Sequence, residues 1–391
     1  MSLDNAADEI ISLIDRERLK QTTYEFVKIE SPTGKEGDFL RFYGKYLEDI
    51  GIEVQWDHEF PHAPSVIAKV EGKSEKPVFQ FDGHGDTIPT GSALPDMKGD
   101  NIYGRGACDM KAGLAAMAET ARIVKESGIQ PNGGLLLTAH GGEEPPVGRS
   151  NELKSLLSKE IYGDVCIIPE PEKNTLPIFC KGMCNFHISI NRSGKPINEI
   201  EGGKDTPNPN LIAHELMDLM IKKIESLSNL KHIVLGAESV FFGIINGGDF
   251  YNRIPTSCTV SGTRRYLPGK KFKDIEEEFQ RHLHTLNPPD NVAIDLNLIN
   301  CSEPYELSPD AKIVRAVNTA HKTVTGEDLP LGGVKFVGEA GLFMNQVKVP
   351  TIYHGVDGRT IHSDEEFVEV DDIVRLVKVF VHTVFNYFGS E

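Results

Sequence analysis

The sequence predicts an α/β protein in which a mostly parallel sheet is flanked by helices and an α+β domain is inserted. Short apolar strands alternate with helical stretches outside the middle of the chain, which is typical of a parallel sheet. Between Gly182 and about Asn300 the pattern changes to longer strands with two helices. The chain of 391 residues is also long for one hydrophobic core, so we expect two domains.

The strands predicted for the sheet are, in chain order, "SVIAKV" (65–70), "PVFQFD" (77–82), "GLLLTA" (134–139), "DVCIIP" (164–169) and "VPTIYHG" (349–355). A helix is predicted after the second strand, over 110–128, because Leu114, Met117 and Val124 recur at helical spacing and Gly128 is a typical helix end. The last helix is predicted over 371–387, where apolar residues form one stripe. Both helices are expected to face the core.

The inserted segment has its own order of elements. It predicts a strand at 184–192, a helix at 211–227, strands near 239–246, 257–265 and 291–299, and a helix near 271–284. We therefore predict that residues 1–181 and 301–391 form one catalytic domain and that residues 182–300 form a second domain inserted into it.

Composition narrows the classes of function. A formal charge of −17 argues against nucleic acids and anionic membrane surfaces as partners, since both are bound by basic faces. A small molecule or short peptide is the expected substrate. The sequence has six cysteines and no evident secretory signal, so we expect a reduced, cytoplasmic protein.

Histidines and carboxylates follow the predicted strands. These residues are His84 and Asp86 in "GHGDTIP", Glu143 and Glu144 in "GGEE", Glu170 in "IIPEP" and His362 in "TIHSDEEF", with Asp109 directly before the helix at 110–128. Parallel sheets place ligands at the carboxyl ends of their strands, so these side chains are expected to converge. Carboxylates and neutral imidazoles suit zinc, manganese or cobalt, and the set predicts a hydrolytic site with two divalent ions.

Each residue taken alone has a simpler interpretation. Asp109 could cap the following helix, Glu143 and Glu144 could be solvated loop residues, and Glu170 between two prolines could belong to a turn. His84 alone is more often a hydrogen-bonded histidine than a metal ligand. Their shared position at strand ends favours the metal site over these separate explanations.

Five ordered motifs resemble a known family. "GHGDTIP", "YGRGACDMKAGLAA", "GGEE", "IIPEP" and "IHSDEEFVEVDDI" look like the motifs of the co-catalytic zinc amidohydrolases and exopeptidases, which include acetylornithine deacetylase, succinyl-diaminopimelate desuccinylase, aminoacylase and carboxypeptidase G. The insertion resembles that family's lid domain in "GIINGGDFYNRIPTSCTVSGTRRYLPG", so the resemblance covers nearly the whole chain.

The resemblance implies a role for each site residue. Asp109 would bridge the two ions, His84 and Glu170 would complete one site, Glu144 and His362 would complete the other, and Glu143 would be the general base. Zinc is the expected metal, with cobalt or manganese as alternatives. Asp86 lies two residues beyond His84 and can accept the second imidazole N–H, which would fix the tautomer.

The resemblance also implies roles in the lid. The family usually carries a histidine after the first lid strand, where this chain offers Asn198. Asn252 and Arg265 fall where the family binds the substrate's free carboxylate, and a homodimer through the lid is expected. Glu339 in "FVGEAGLF" resembles the acetylornithine deacetylase pattern and would favour a cationic substrate, unless it is a structural anchor or a helix N-terminal residue.

The sequence therefore predicts a zinc-dependent amidohydrolase that releases an amino acid from its N-acyl derivative. A dipeptidase or carboxypeptidase of the same family is the first alternative, and a non-catalytic binding protein with this fold is the second. The presence of Asp109 and Glu143 argues against the second alternative.

Overall fold

The computed structural model describes residues 3–91, 93–203, 205–334 and 336–389. The helices are α1 (Leu3–Ile11), α2 (Arg16–Lys28), α3 (Gly37–Asp49), α4 (Ala112–Ser127), α5 (Asn151–Ser158), α6 (Glu199–Gly202), α7 (Pro209–Ser226), α8 (Phe272–Leu286), α9 (Lys312–Thr325), α10 (Ala340–Leu342) and α11 (Val370–Gly389). A short π-helical segment occupies Phe343–Val347, and Ala107–Lys111 forms a kinked turn in which Asp109 and Met110 have non-helical backbone angles.

The strands complete the element order. They are β1 (Glu53–Asp57), β2 (Ser65–Val70), β3 (Val78–His84), β4 (Asp96–Lys98), β5 (Asn101–Tyr103), β6 (Gly134–His140), β7 (Val165–Ile168), β8 (Leu176–Cys180), β9 (Gly182–Arg192), β10 (Ile197–Asn198), β11 (Ser239–Gly247), β12 (Arg253–Ile254), β13 (Ser257–Tyr266), β14 (Val292–Ser302), β15 (Tyr305–Glu306), β16 (Leu331–Gly333), β17 (Thr351–Tyr353) and β18 (Phe367–Glu369).

The first compact unit contains Met1–Ile178, Leu307–Gly332 and Gly338–Glu391. Its main sheet has the order β1-β2-β6-β3-β7-β17. The pairs β6–β3, β3–β7 and β7–β17 are parallel, whereas β1–β2 and β2–β6 are antiparallel. The carboxyl ends of four parallel strands therefore meet at one edge.

Helices cover both faces of this sheet. On one face the rings of Phe81 in β3 and Phe380 in α11 lie 4.7 Å apart, and α4 packs against β3 and β6. On the other face Leu156 of α5 packs with Ile67 and Leu136. Helix α4 ends where Gly128 takes the left-handed conformation at φ 69°, as the sequence predicts.

The second compact unit contains Phe179–Glu306 and Gly333–Val337. It is built on a four-stranded antiparallel sheet with the order β11-β13-β9-β14. Helices α7 and α8 pack against this sheet, and their apolar side chains form one core with strands β9 and β13. Antiparallel strands with helices packed against them make this an α+β unit.

The predicted fold class is confirmed: a mostly parallel sheet flanked by helices is combined with an α+β unit. The strands that carry the histidines are longer than predicted, since β3 runs through His84 and β6 through His140. Within the part of the chain that the structure describes, no helix is both long and apolar enough to cross a membrane.

Candidate metal centre

His84 ends strand β3 and lies at the centre of the predicted site. Its side chain is buried, and its Nε2 atom lies 3.4 Å from Asp109 Oδ1 and 3.5 Å from Glu170 Oε1. Burial would lower the pKa of His84, but Asp109, Asp86 and Glu170 outweigh it and raise the pKa well above its usual value. The imidazole is therefore surrounded by negative charge.

Asp109 lies between two histidines. Its other oxygen, Oδ2, is 3.0 Å from His362 Nε2, which is also 3.0 Å from Glu144 Oε1. The Asp109 carboxylate is thus shared by two clusters, one with His84 and Glu170 and one with Glu144 and His362. In each cluster the ligand atoms lie within 4.8 Å of one another.

The polar atoms at this centre fit divalent metal ions. His84 Nε2 and Asp109 Oδ1 are buried and have no hydrogen-bond partner among the described residues. Asp109, Glu144 and Glu170 are all buried, and leaving three carboxylates away from water is costly unless a cation compensates them. Imidazole nitrogen and carboxylate oxygen are the ligands that zinc and its neighbours prefer.

Asp86 contacts both His84 and the loop that carries the two glutamates. Its carboxylate lies 3.5 Å from His84 Nδ1, whereas its backbone carbonyl is closer, at 3.0 Å. The two carboxylate oxygens also accept hydrogen bonds from the amides of Glu143, at 3.3 Å, and Glu144, at 2.8 Å. Asp86 therefore ties the loop of the two glutamates to the end of β3.

Glu143 has a carboxylate beside the centre but outside both clusters. Its Oε2 lies 4.0 Å from His84 Nε2, and the side chain is 13% exposed. Burial raises its pKa well above the ordinary value, and Glu170 and Glu339 raise it further, although His84 opposes them. A carboxyl group with a raised pKa holds a transferred proton more readily than an ordinary one, as a general base must do before it returns the proton.

Glu366 is a further residue of the site and was not predicted from the sequence. Its Oε1 accepts the backbone amides of Cys108, at 3.1 Å, and Asp109, at 3.2 Å. Its Oε2 pairs with Arg105 at 2.8 Å. Glu366 follows His362 within a quoted motif, but nothing in the sequence separates it from its acidic neighbours Asp364 and Glu365.

Glu339 does not lie at an entrance, and its predicted contact with a cationic substrate is not supported. The side chain is 2% exposed and its Oε2 lies 3.5 Å from His140 Nε2, which is 3.3 Å from Asp82 Oδ2. Burial would lower the pKa of His140, but the two carboxylates raise it to about 10. Burial raises the pKa of Glu339 to about 7, so its carboxyl group faces a buried histidine rather than solvent.

The predicted lid residues all lie in the second unit. Asn198 caps helix α6, because its Oδ1 accepts the amide of Ile200 at 3.0 Å. Asn252 is half-buried, and its carbonyl accepts the amide of Glu199 at 3.2 Å. Arg265 is half-buried and has no ion pair among the described residues.

Comparison with known proteins identifies the family. The model of the peptidase family M20/M25/M40 matches residues 81–386. The chain belongs to this family. Succinyl-diaminopimelate desuccinylase of Roseobacter denitrificans is 25% identical over 389 residues, covering 94% of this chain and 98% of that protein.

Two solved structures share the fold. Aminopeptidase PepT from Bacillus cereus has a TM-score of 0.81 and 20% identity, covering 96% of this chain and 99% of its own. The Bacillus subtilis YXEP protein, described as a dinuclear metal binding peptidase, has a TM-score of 0.71 and 15% identity, covering 95% and 97%. The resemblance read from the motifs is confirmed, and as an M20/M25/M40 protein the chain is a metal-dependent hydrolase of amide bonds.

Proposed function

We propose that this protein hydrolyses the amide bond of an N-acyl amino acid, in a reaction like that of acetylornithine deacetylase, with two zinc ions. The observation that carries the proposal is the position of Asp109, whose two oxygens face two different histidines. The match to a desuccinylase along almost its whole length supports an acyl group rather than a second amino acid.

The residues present define two places for an ion. His84, Asp109 and Glu170 would hold one ion, and Asp109, Glu144 and His362 would hold the other. When bound, such a pair supplies an acidified water near neutral pH and polarises the amide carbonyl.

Glu143 moves the protons in this proposal. Its carboxylate lies 4.0 Å from His84 Nε2 but belongs to neither cluster. It accepts a proton from the attacking water and gives it to the departing nitrogen, which makes the amine a good leaving group. Asp86 keeps the Glu143 backbone in place through its hydrogen bond to that amide.

The second unit is proposed to act as a lid that supplies further contacts to the substrate. Arg264 is fully buried and pairs with Glu238 and Glu278. The neighbouring Arg265 forms no ion pair with a carboxylate among the described residues. A guanidinium can bind a carboxylate through two parallel hydrogen bonds. We therefore propose that Arg265 and Asn252 bind the free carboxylate of the substrate and that Asn198 is an oxyanion donor.

A substrate panel tests the proposed reaction. The metal-stripped protein is supplied with zinc, cobalt or manganese and assayed with N-acetyl-ornithine, N-succinyl and other N-acyl amino acids, and dipeptides. We expect N-acyl amino acids to be cleaved in the metal-loaded protein only. Preference for dipeptides would favour the dipeptidase alternative, and hydrolysis by metal-free protein would refute the mechanism.

The role of Arg265 predicts a preference for a free carboxylate. We expect wild-type kcat/KM to be higher for an N-acyl amino acid than for its carboxamide, because only the acid can form the paired hydrogen bonds. Arg265→Ala should remove this preference. The value of kcat/KM for the free acid should fall by about tenfold or more, as expected when a charge-assisted pair is lost. Arg281→Ala, which changes an exposed arginine of α8, is the control, and equal loss in both variants would contradict the assignment.

A further inference from the structure

Two buried glutamates pack against the turn that precedes Glu143. Glu36 lies directly before α3 and is 1% exposed, and Glu152 lies in the first turn of α5 and is 5% exposed. A Cβ atom at Gly141 would lie 2.1 Å from Glu36 Oε1, and one at Gly142 would lie 2.4 Å from Glu152 Oε2. The two carboxylates therefore touch the Gly141–Gly142 backbone from two different helices.

These carboxylates lack the partners that buried charges require. Both oxygens of Glu36 and Oε2 of Glu152 are buried without a hydrogen-bond partner among the described residues. Neither glutamate forms an ion pair with a lysine or arginine in the described part of the chain. Burial raises the pKa of each, and the backbone amide of the same residue offsets part of this effect. A buried carboxylate without a compensating group is costly.

His62 completes a set of three possible ligands. Its Nε2 lies 3.9 Å from Glu152 Oε1, and its side chain is 57% exposed. Ligand atoms of Glu36, His62 and Glu152 lie within 4.8 Å of one another. Two carboxylates and one imidazole suit a divalent ion, and the exposed histidine gives that ion a route from solvent.

We propose that Glu36, His62 and Glu152 bind an additional divalent cation, separate from the candidate metal centre. The cation would hold the beginnings of α3 and α5 against the Gly141–Gly142 turn. Since Glu143 and Glu144 follow this turn directly, the ion would fix the loop that carries them.

Among the described residues, a second buried cluster outside the candidate metal centre differs from this one. Asp82, His140 and Glu339 also lie within ligand distance of one another. There the imidazole lies between the two carboxylates, at 3.3 Å and 3.5 Å, and provides the compensating charge itself. His62 instead lies at the rim of its cluster, so the charge of Glu36 and Glu152 remains to be balanced.

The zinc content of the protein distinguishes two explanations for the buried carboxyl groups, which are an additional bound ion and a proton shared between them. The full-length protein is stripped with a chelator, dialysed against buffered Zn²⁺ and measured by elemental mass spectrometry. We expect the double variant Glu36→Gln/Glu152→Gln to hold about one zinc ion fewer per chain than wild type. Glu48→Gln, an exposed glutamate at the other end of α3, should match wild type.

The zinc contents are compared again after His84→Ala and His362→Ala have been added to both proteins. The double variant should still hold about one zinc ion fewer, however many ions the candidate metal centre binds. His62→Ala changes an exposed side chain, so it tests the site even if the double variant does not fold, and it should also lose that ion. Equal zinc contents in wild type and His62→Ala, or in wild type and a folded double variant, would overturn the proposal and leave a proton-sharing pair.

Discussion

The position of Asp109 depends on a carboxylate that approaches it from the far end of the chain. Glu366 accepts the amides of Cys108 and Asp109 and is itself fixed by Arg105. A group that orients a ligand through its backbone contributes to metal affinity without touching the ion. Glu366 is thus a positioning residue for the carboxylate shared by the two clusters.

This role predicts a loss of metal affinity when the charge of Glu366 is removed. Glu366→Gln should weaken zinc binding by about 10–100-fold, as is typical for residues that support metal ligands. Competition with a chromophoric chelator measures this change. Glu365→Gln alters the exposed neighbour and should keep wild-type affinity. Unchanged affinity in Glu366→Gln would show that Asp109 is positioned without it.

Some site residues follow from the sequence and others do not. His84, Glu143 and Glu170 could be chosen because each follows an apolar strand of a parallel sheet. Glu366 could not be chosen, because its contact with Asp109 spans 257 positions and arises only when the chain returns to the sheet. The role of Glu339 stayed open between a substrate contact and a structural anchor, because a carboxylate near the motifs gives no sign of whether it faces solvent or a buried histidine.

At the scale of elements, periodicity predicted the helices and strands well because each buries one face or stripe. The strand ends were less predictable, since β3 and β6 continue into the polar residues His84 and His140. Asp82, Thr138 and His140 share one face of the sheet, where Thr138 donates to Asp82. A polar layer of this kind forms only when two strands pair in the observed register, which no single strand reveals.

Strand β13 carries a buried ion cluster that holds the second unit together. Arg264 is fully buried and contacts two glutamates, Glu278 in α8 and Glu238 directly before β11. Lys270 also contacts Glu238. Burial would raise the pKa of Glu238, but Lys270 and Arg264 lower it below the ordinary value. Glu238 therefore stabilises the fold above the ordinary pKa of glutamate, and this contribution is lost as the pH falls through the lowered pKa.

This cluster predicts that Arg264→Met is strongly destabilising. Without Arg264 the buried Glu278 loses its partner and Glu238 keeps only Lys270, so the free energy of unfolding should fall by about 3–5 kcal/mol at neutral pH. The remaining stability should fall less steeply with acid than in wild type. Urea unfolding followed by far-ultraviolet circular dichroism measures both effects. Arg265→Met, one position away, should change stability little, and equal losses would contradict the proposed cluster.

At the scale of the whole molecule, β11 offers a surface for a second copy. It is an edge strand of the four-stranded sheet, and Phe241, Ile244 and Ile245 on it are 65%, 56% and 53% exposed. An apolar edge strand can pair with the same strand of another copy through a two-fold axis. We predict a homodimer formed through this edge.

Light scattering of the purified protein measures the oligomeric state. Ile245→Lys places a charge on the edge and should shift the protein to monomer. Ile233→Lys changes an isoleucine that is 96% exposed outside β11 and should leave the dimer intact. A monomeric wild type, or a dimer in both variants, would contradict an interface through β11.

The amide-hydrolysis rate of zinc-loaded Glu143→Gln tests the central claim most directly. Glutamine keeps the shape of the side chain but cannot accept the proton, so we predict that kcat falls by about 10²-fold or more while the bound zinc is the same as in wild type. Glu365→Gln, an exposed glutamate, serves as the control and should keep the full rate. A wild-type rate in zinc-loaded Glu143→Gln would contradict the assignment of Glu143 as the base.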